Sequence, residues 1–105
     1  KEAVDMNEII EEAISHVSLL VENKKGTITT HFKAIATEVL GNQFHLTNVV
    51  INILENALKY SEGIPKIDVF TENTNKFFIF KSWLFDNITR EYCSCLNIIF
   101  FKKNL

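Results

Sequence analysis

The sequence predicts an α/β fold, an α+β sandwich of two layers with helices on one face of a mixed, mostly antiparallel sheet. Three observations carry this expectation. Two segments repeat apolar residues at helical spacing, and short β-branched or aromatic runs follow each of them. Breaks at Asn23–Gly26, Gly41-Asn42 and Gly63-Ile64-Pro65 separate the pieces.

The first helix is expected over 7–22. Ile9, Ile10, Ala13, Ile14, Val17, Leu20 and Val21 recur at helical period, while Glu8, Glu11, Glu12 and Ser15 fall largely on the other side as a solvated face. Gly26 stands near the C-terminal cap position. The β-branched run 27–32 predicts a strand, and 37–40 a second short one. Asn42 then caps a helix over 42–60. Two further strands, 67–71 and 77–80, are joined by the polar turn 72–76. From Ser82 onward no amphipathic period is evident, and the apolar run 96–101 is of aggregation-prone type unless it packs against something.

A chain of 105 residues suits one domain, burying about 65% of its unfolded surface. The net charge of −2 provides no electrostatic footprint for nucleic acid. No run of about 18 apolar residues exists to span a membrane. The start, Lys-Glu followed by an acidic helix, carries no signal peptide and reads as a fragment boundary. Cys93-Ser94-Cys95 is too tightly spaced for an easy disulfide and lacks the second ligand pair of a metal site, so reduced thiols are expected.

The 42–60 helix holds the chemistry. His45, Asn48, Asn52, Glu55, Asn56 and Lys59 share one narrow arc, while Leu46, Val49, Val50, Ile53, Leu54, Ala57 and Leu58 cover most of the rest. Asn is a poor interior helix residue, and three of them cost roughly 1.5–2 kcal/mol relative to Ala. Such a row occurs on ordinary surfaces, and it also suits a metal–phosphate ligand. Mg²⁺ takes one amide oxygen together with phosphate oxygens and waters, and a Lys one turn on can offer a point charge to the same phosphates.

Asn52-x-x-x-Asn56-Ala57-x-Lys59-Tyr60-Ser61, preceded by Gly41-Asn42 and His45, resembles the N box of bacterial sensor histidine kinases, relatives of the gyrase, Hsp90 and MutL ATPases. The resemblance runs from about Val4 to Lys81. It implies an incomplete Bergerat-type ATP-binding fold over 1–81, with 82–105 a divergent hydrophobic tail. It further implies Asn56 as the Mg²⁺ ligand and Asn52 as a polar contact to nucleotide. Lys59 would contact phosphate, Tyr60 would line the adenine or ribose side, and His45 would stand near the phosphates or else serve as a surface residue at the helix start.

Half of the family's site is missing. Its adenine is read by an Asp in a D-x-G-x-G segment, and its phosphates lie under a later G-x-G-x-G segment, where amides approach phosphate closely because no Cβ intervenes. The glycines here are 26, 41 and 63, with none beyond. Asp86 falls near the adenine-reading position, but Asn87-Ile88-Thr89-Arg90 follows it, so no adenine role is expected. The tail is read as a truncation or out-of-frame continuation.

Ser15-His16-Val17 lacks the Glu of a phosphoacceptor motif, so His16 is expected at the edge of the core and His31 on a strand surface. The resemblance thus implies a piece of a kinase that autophosphorylates on His, with ATP and Mg²⁺ as cofactors. The parent's partners would be a dimerising phosphoacceptor domain and a response regulator, and its location cytoplasmic, beneath a membrane-bound sensor. This chain alone is expected to be inactive and to bind ATP or ADP weakly or not at all. The alternative is a non-enzymatic module that dimerises through a sheet edge or the tail.

Overall fold

Met6–Asn23 forms α1 because Asp5 stops the preceding strand and caps the helix, its carboxylate accepting from the Asn7 N–H at 2.9 Å. Residues 2–102 are described in this computed structural model, the side chains of 93–97 and 101 excepted. The elements run β1 (Glu2–Asp5), α1, β2 (Thr27–Phe32), β3 (Glu38–Gly41), α2 (Gln43–Lys59), β4 (Pro65–Asn73), β5 (Phe77–Asp86) and β6 (Glu91–Phe101). Four strands form the main sheet in the order β2-β4-β5-β6, with β2 parallel to β4 and the other pairs antiparallel. β1 and β3 form a separate antiparallel pair. The mixed, mostly antiparallel sheet and the two-layer arrangement are as the sequence predicts.

The core lies between the helices and one sheet face. Ile9, Ile10, Ala13 and Val17 of α1 meet Val50, Leu54 and Leu58 of α2 over Ile67, Val69, Phe78 and Phe80. Full burial of such side chains contributes about 1.5–3 kcal/mol each. Leu20, expected inside, is exposed, because the apolar stripe of α1 passes through Val17 and Val21 instead.

α1 ends at Asn23, with Gly26 near the cap as expected. Lys25 takes the left-handed position (φ 59°), its N–H donating to Glu22 O at 2.9 Å, and the Gly26 N–H donates to Val21 O at 2.9 Å. This is a Schellman closure with lysine at the position glycine usually holds. Gly26 is required for another reason: a Cβ there would lie 2.7 Å from Pro65 Cγ. Asn42 caps α2 as predicted, accepting from the His45 N–H at 2.9 Å.

Two strands were not foreseen. β1 is too short for a period to show, and β6 comes from the stretch in which none was read. β5 also runs six residues past the expected end at 80. Its inward positions are Phe78, Phe80, Ser82, Leu84 and Asp86, a strict alternation. Two of the five are polar, which hides the pattern from hydropathy. β6 then pairs with β5 from Glu91 to Phe101 across a register shift at Ser82/Trp83. Ile98 and Phe100 pack against the core, so the apolar tail is in part an inner surface. Cys93 and Cys95 fall among the side chains outside the description.

Two substitutions test these local readings. Lys25→Gly relieves a left-handed lysine and should raise unfolding stability by about 0.5–1 kcal/mol in a denaturant titration. Ser82 is fully buried, and its Oγ has no hydrogen-bond partner among the described residues. Ser82→Ala should therefore be neutral or stabilising by up to about 1 kcal/mol, unlike a typical core truncation.

Candidate nucleotide-facing helix and its anchor

The polar row of α2 is solvent-exposed along its whole length: His45, Asn48, Asn52, Glu55, Asn56 and Lys59 all face out. Val49 joins them in part, since the stripe of α2 that packs inward is Val50, Ile53, Leu54, Ala57 and Leu58. The side chains of Asn52 and Asn56 make no hydrogen bond among the described residues. Two exposed amides that neither cap nor brace anything are available to a ligand.

The rise of an α-helix sets which of these residues can act together. Asn52 and Asn56 lie about 6 Å apart along the axis and Lys59 about 4.5 Å further on, a reach one phosphate group can bridge. His45 lies about 16 Å from Asn56 along the axis, at the far end of the row from Lys59. There the His45 ring sits beside the exposed Phe44 ring, with centroids 6.0 Å apart. At the other end the Lys59 ammonium stands over the Tyr60 ring, 5.6 Å from its centroid, a cation–π contact that holds both at the helix exit. The structure thus brings together Asn52, Asn56, Lys59 and Tyr60 and leaves His45 apart.

A groove of about 420 Å³ opens between the helices near the start of α2. Glu12 and His16 of α1 line it together with Phe44, Thr47, Asn48 and Ile51 of α2. It touches the row at Asn48 only. His16 is on its exposed rim, not at the core edge that the sequence suggests. His31 is half-exposed on the far side of the sheet, its ring stacked on Phe70 at 4.4 Å and its Nε2 3.1 Å from Asp68 Oδ1.

The residue whose task sequence reasoning missed is Asp86. It ends β5 directly behind the exit of α2, and its buried carboxylate collects donors from two loops. Oδ2 accepts from Ser61 Oγ (2.9 Å) and from the N–H groups of Glu62 (2.6 Å) and Gly63 (2.9 Å). Oδ1 accepts from the N–H groups of Ile88 (2.7 Å) and Thr89 (3.4 Å). The neighbouring Asn87 Oδ1 accepts from the Ile64 N–H at 2.6 Å. A Cβ on Gly63 would fall 2.8 Å from Asp86 Oδ1, so glycine is what allows the backbone this close.

With five donors on its two oxygens, the carboxylate has no acceptor left for a base. Its role is to fasten residues 61–64, which follow immediately on Lys59 and Tyr60. The pair Ser61 and Asp86 was visible in the sequence only as two polar residues 25 positions apart. The Gly63 amide, followed by the Ile88 amide, the Ser61 hydroxyl and the Glu62 amide, holds the Asp86 carboxyl well below the usual carboxylate range, against the opposing effect of burial.

No family model matches the chain. Over 59 residues, 56% of its length, it is 36% identical to the sensor protein RprX of Bacteroides fragilis, of which that stretch is 11%. In structure it is similar to the catalytic domain of histidine kinase ThkA (TM-score 0.68, 18% identity), covering 81% of this chain and 58% of that one. It is also similar to the mycobacterial sensor histidine kinase MprB (TM-score 0.65, 22% identity), over 79% of this chain and 54% of that one. ThkA in complex with the response regulator TrrA aligns with a TM-score of 0.72 at 17% identity, over 80% of this chain and 25% of that one. The chain therefore spans somewhat more than half the length of the kinase catalytic domain it matches.

The acid behaviour of Asp86 supplies a test. A carboxyl depressed in the folded state contributes stability that is fully present above its unfolded value of about 4 and is lost as pH falls below it. Wild-type melting temperature should drop on acidification from pH 5 to pH 2, measured by thermal scans. Asp86→Ala should melt lower at neutral pH and lose this part of the acid dependence. Equal slopes in the two proteins would remove Asp86 as the fastening group. In fold the chain is similar to a portion of histidine kinase catalytic domains, and over those 59 residues it is similar in sequence to a sensor protein.

Proposed function

We propose that this chain is the N-box-bearing part of an ATP-binding domain whose full-length parent autophosphorylates on histidine. The observation that supports this most is the exposed row Asn52–Asn56–Lys59, whose two amides make no hydrogen bond among the described residues, set on a helix in the fold of kinase catalytic domains. Asn56 would offer its amide oxygen to Mg²⁺ and Asn52 a polar contact to the nucleotide. Lys59 would meet phosphate and Tyr60 the adenine or ribose side, with His45 at the far end of the row. The donor set fits the ion, which is content with one neutral oxygen, phosphates and waters. Mg²⁺ would neutralise phosphate charge there, and transfers of this kind depend almost wholly on positioning and charge.

No glycine follows Gly63, so this chain has no backbone cradle for the phosphates. By itself it should transfer no phosphoryl group and should bind Mg-ATP or Mg-ADP weakly or not at all. The parent would be membrane-bound with this part in the cytoplasm, next to a dimerising phosphoacceptor domain and a response regulator. Among the described residues no helix is long and apolar enough to cross a membrane.

Isothermal calorimetry with Mg-ADP is the direct check. Heat compatible with micromolar affinity, lost in Asn56→Ala, would show that the half-site suffices and overturn the claim of weak binding. Heat unchanged by Asn56→Ala would remove the N-box assignment itself.

A second reading, a non-enzymatic module that pairs with another chain, draws on the edge strand β2, which among the described residues pairs only with β4. A monomer stabilised thermally by Mg-ADP favours the nucleotide reading, and a dimer indifferent to it favours the module.

A further inference from the structure

We infer that the α2 row recognises only the Mg²⁺–polyphosphate part of its ligand and is blind to the base. Its ligand class is then magnesium-bound linked phosphates, with any nucleoside attached or with none. This deepens the nucleotide reading of the row and rests on it.

A site tells one base from another when the wrong one would strand buried donors or acceptors. The polar residues of the row, from His45 to Lys59, are all exposed. A mismatched base edge would leave such groups to water at little cost. Among the described residues the buried polar ones are Thr47, Ser61, Thr71, Ser82 and Asp86. Those next to the row are already satisfied within the protein. Thr47 Oγ1 donates to Gln43 O at 2.8 Å, and Ser61 Oγ donates to Asp86 Oδ2 at 2.9 Å. Asp86 itself accepts from Ser61, Glu62, Gly63, Ile88 and Thr89. Thr71 Oγ1 accepts from the Ala34 N–H at 3.3 Å. Two buried oxygens have no partner among the described residues, and neither belongs to α2. Ser82 Oγ is sealed in the core under β5, and Asn7 Oδ1 is at the start of α1. No buried polar group beside the row is therefore left to read a base edge.

What remains for a base is stacking. Tyr60, directly after Lys59, is 74% exposed. An aromatic ring of this kind accepts any base, because every base presents a π-face.

The phosphate end offers more. Asn52, Asn56 and Lys59 extend over about 10 Å of helix, a length that a short chain of linked phosphates can follow. Glu55 shares the arc, and its charge offsets that of Lys59. The row thus has little field of its own for a bare polyanion. The missing positive charge is what Mg²⁺ supplies when bound, with the Asn56 amide oxygen completing a shell of phosphate oxygens and water.

Titrating the full chain with Mg-ADP, Mg-GDP and Mg-pyrophosphate, followed by amide NMR spectra, tests the inference. All three should shift the Asn52 and Asn56 side-chain amides alike, with dissociation constants on the order of millimolar and within about threefold of one another. Pyrophosphate with the metal chelated should bind at least about fivefold more weakly. Asn56→Ala, an exposed change, should weaken all three ligands by a similar factor, and Asn52→Ala takes its place should that chain fail to fold. Mg-ADP binding more than about tenfold tighter than both other ligands overturns the inference and leaves the nucleotide reading standing. Failure of all three to shift either amide overturns both. Shifts that persist unchanged in Asn56→Ala, or that appear equally without Mg²⁺, show adventitious anion binding and overturn the inference.

Discussion

β4 is the strand on which the rest of the molecule depends. It is hydrogen-bonded on both sides, parallel to β2 and antiparallel to β5. Its inward side chains Ile67, Val69 and Thr71 form the floor on which both helices rest. A parallel pair cannot be joined by a hairpin, so the chain between β2 and β4 must cross over one face of the sheet. α2 lies in that crossover, and burying its apolar stripe leaves the asparagine row turned to solvent. The exposure of Asn52 and Asn56 is thus a consequence of strand topology as much as of their own polarity.

The two ends of α2 are secured by different means. At its start the helix needs only Asn42. At its exit, Asp86 draws in Ser61, Glu62 and Gly63, while Lys24 Nζ donates to Ser61 O at 3.0 Å. Lys59 and Tyr60 therefore lead into a segment held from the sheet and from the end of α1 alike. Every acceptor position of the Asp86 carboxylate is taken up by the protein's own donors.

The fold was legible where period and punctuation agreed. The 42–60 helix, its Asn42 cap and the strand at 27–32 could be read because side-chain spacing, a capping residue and a break coincide there. The second half of β5 could not. Ser82 and Asp86 take inward positions that hydropathy assigns outside, and only the neighbouring strand and loop make Asp86 tolerable there. Gly26 was legible at the helix end, but the need for its small size against Pro65 was not. In the candidate site, Asn52, Asn56 and Lys59 were legible as part of one arc of residues, whereas Tyr60 entered only through the resemblance. The fastening by Asp86 required the fold.

The contact between Gly26 and Pro65 has a wider effect than the room it occupies. These residues immediately precede Thr27 and Lys66, the first partners in the parallel ladder. A slip of one residue would turn Ile67 and Val69 to solvent and bring Lys66 and Asp68 into the core. The close fit at the strand entrances disfavours any such slip. It acts as an alignment pin for a pairing between segments far apart in the chain, so that two residues with no functional group decide which side chains become interior.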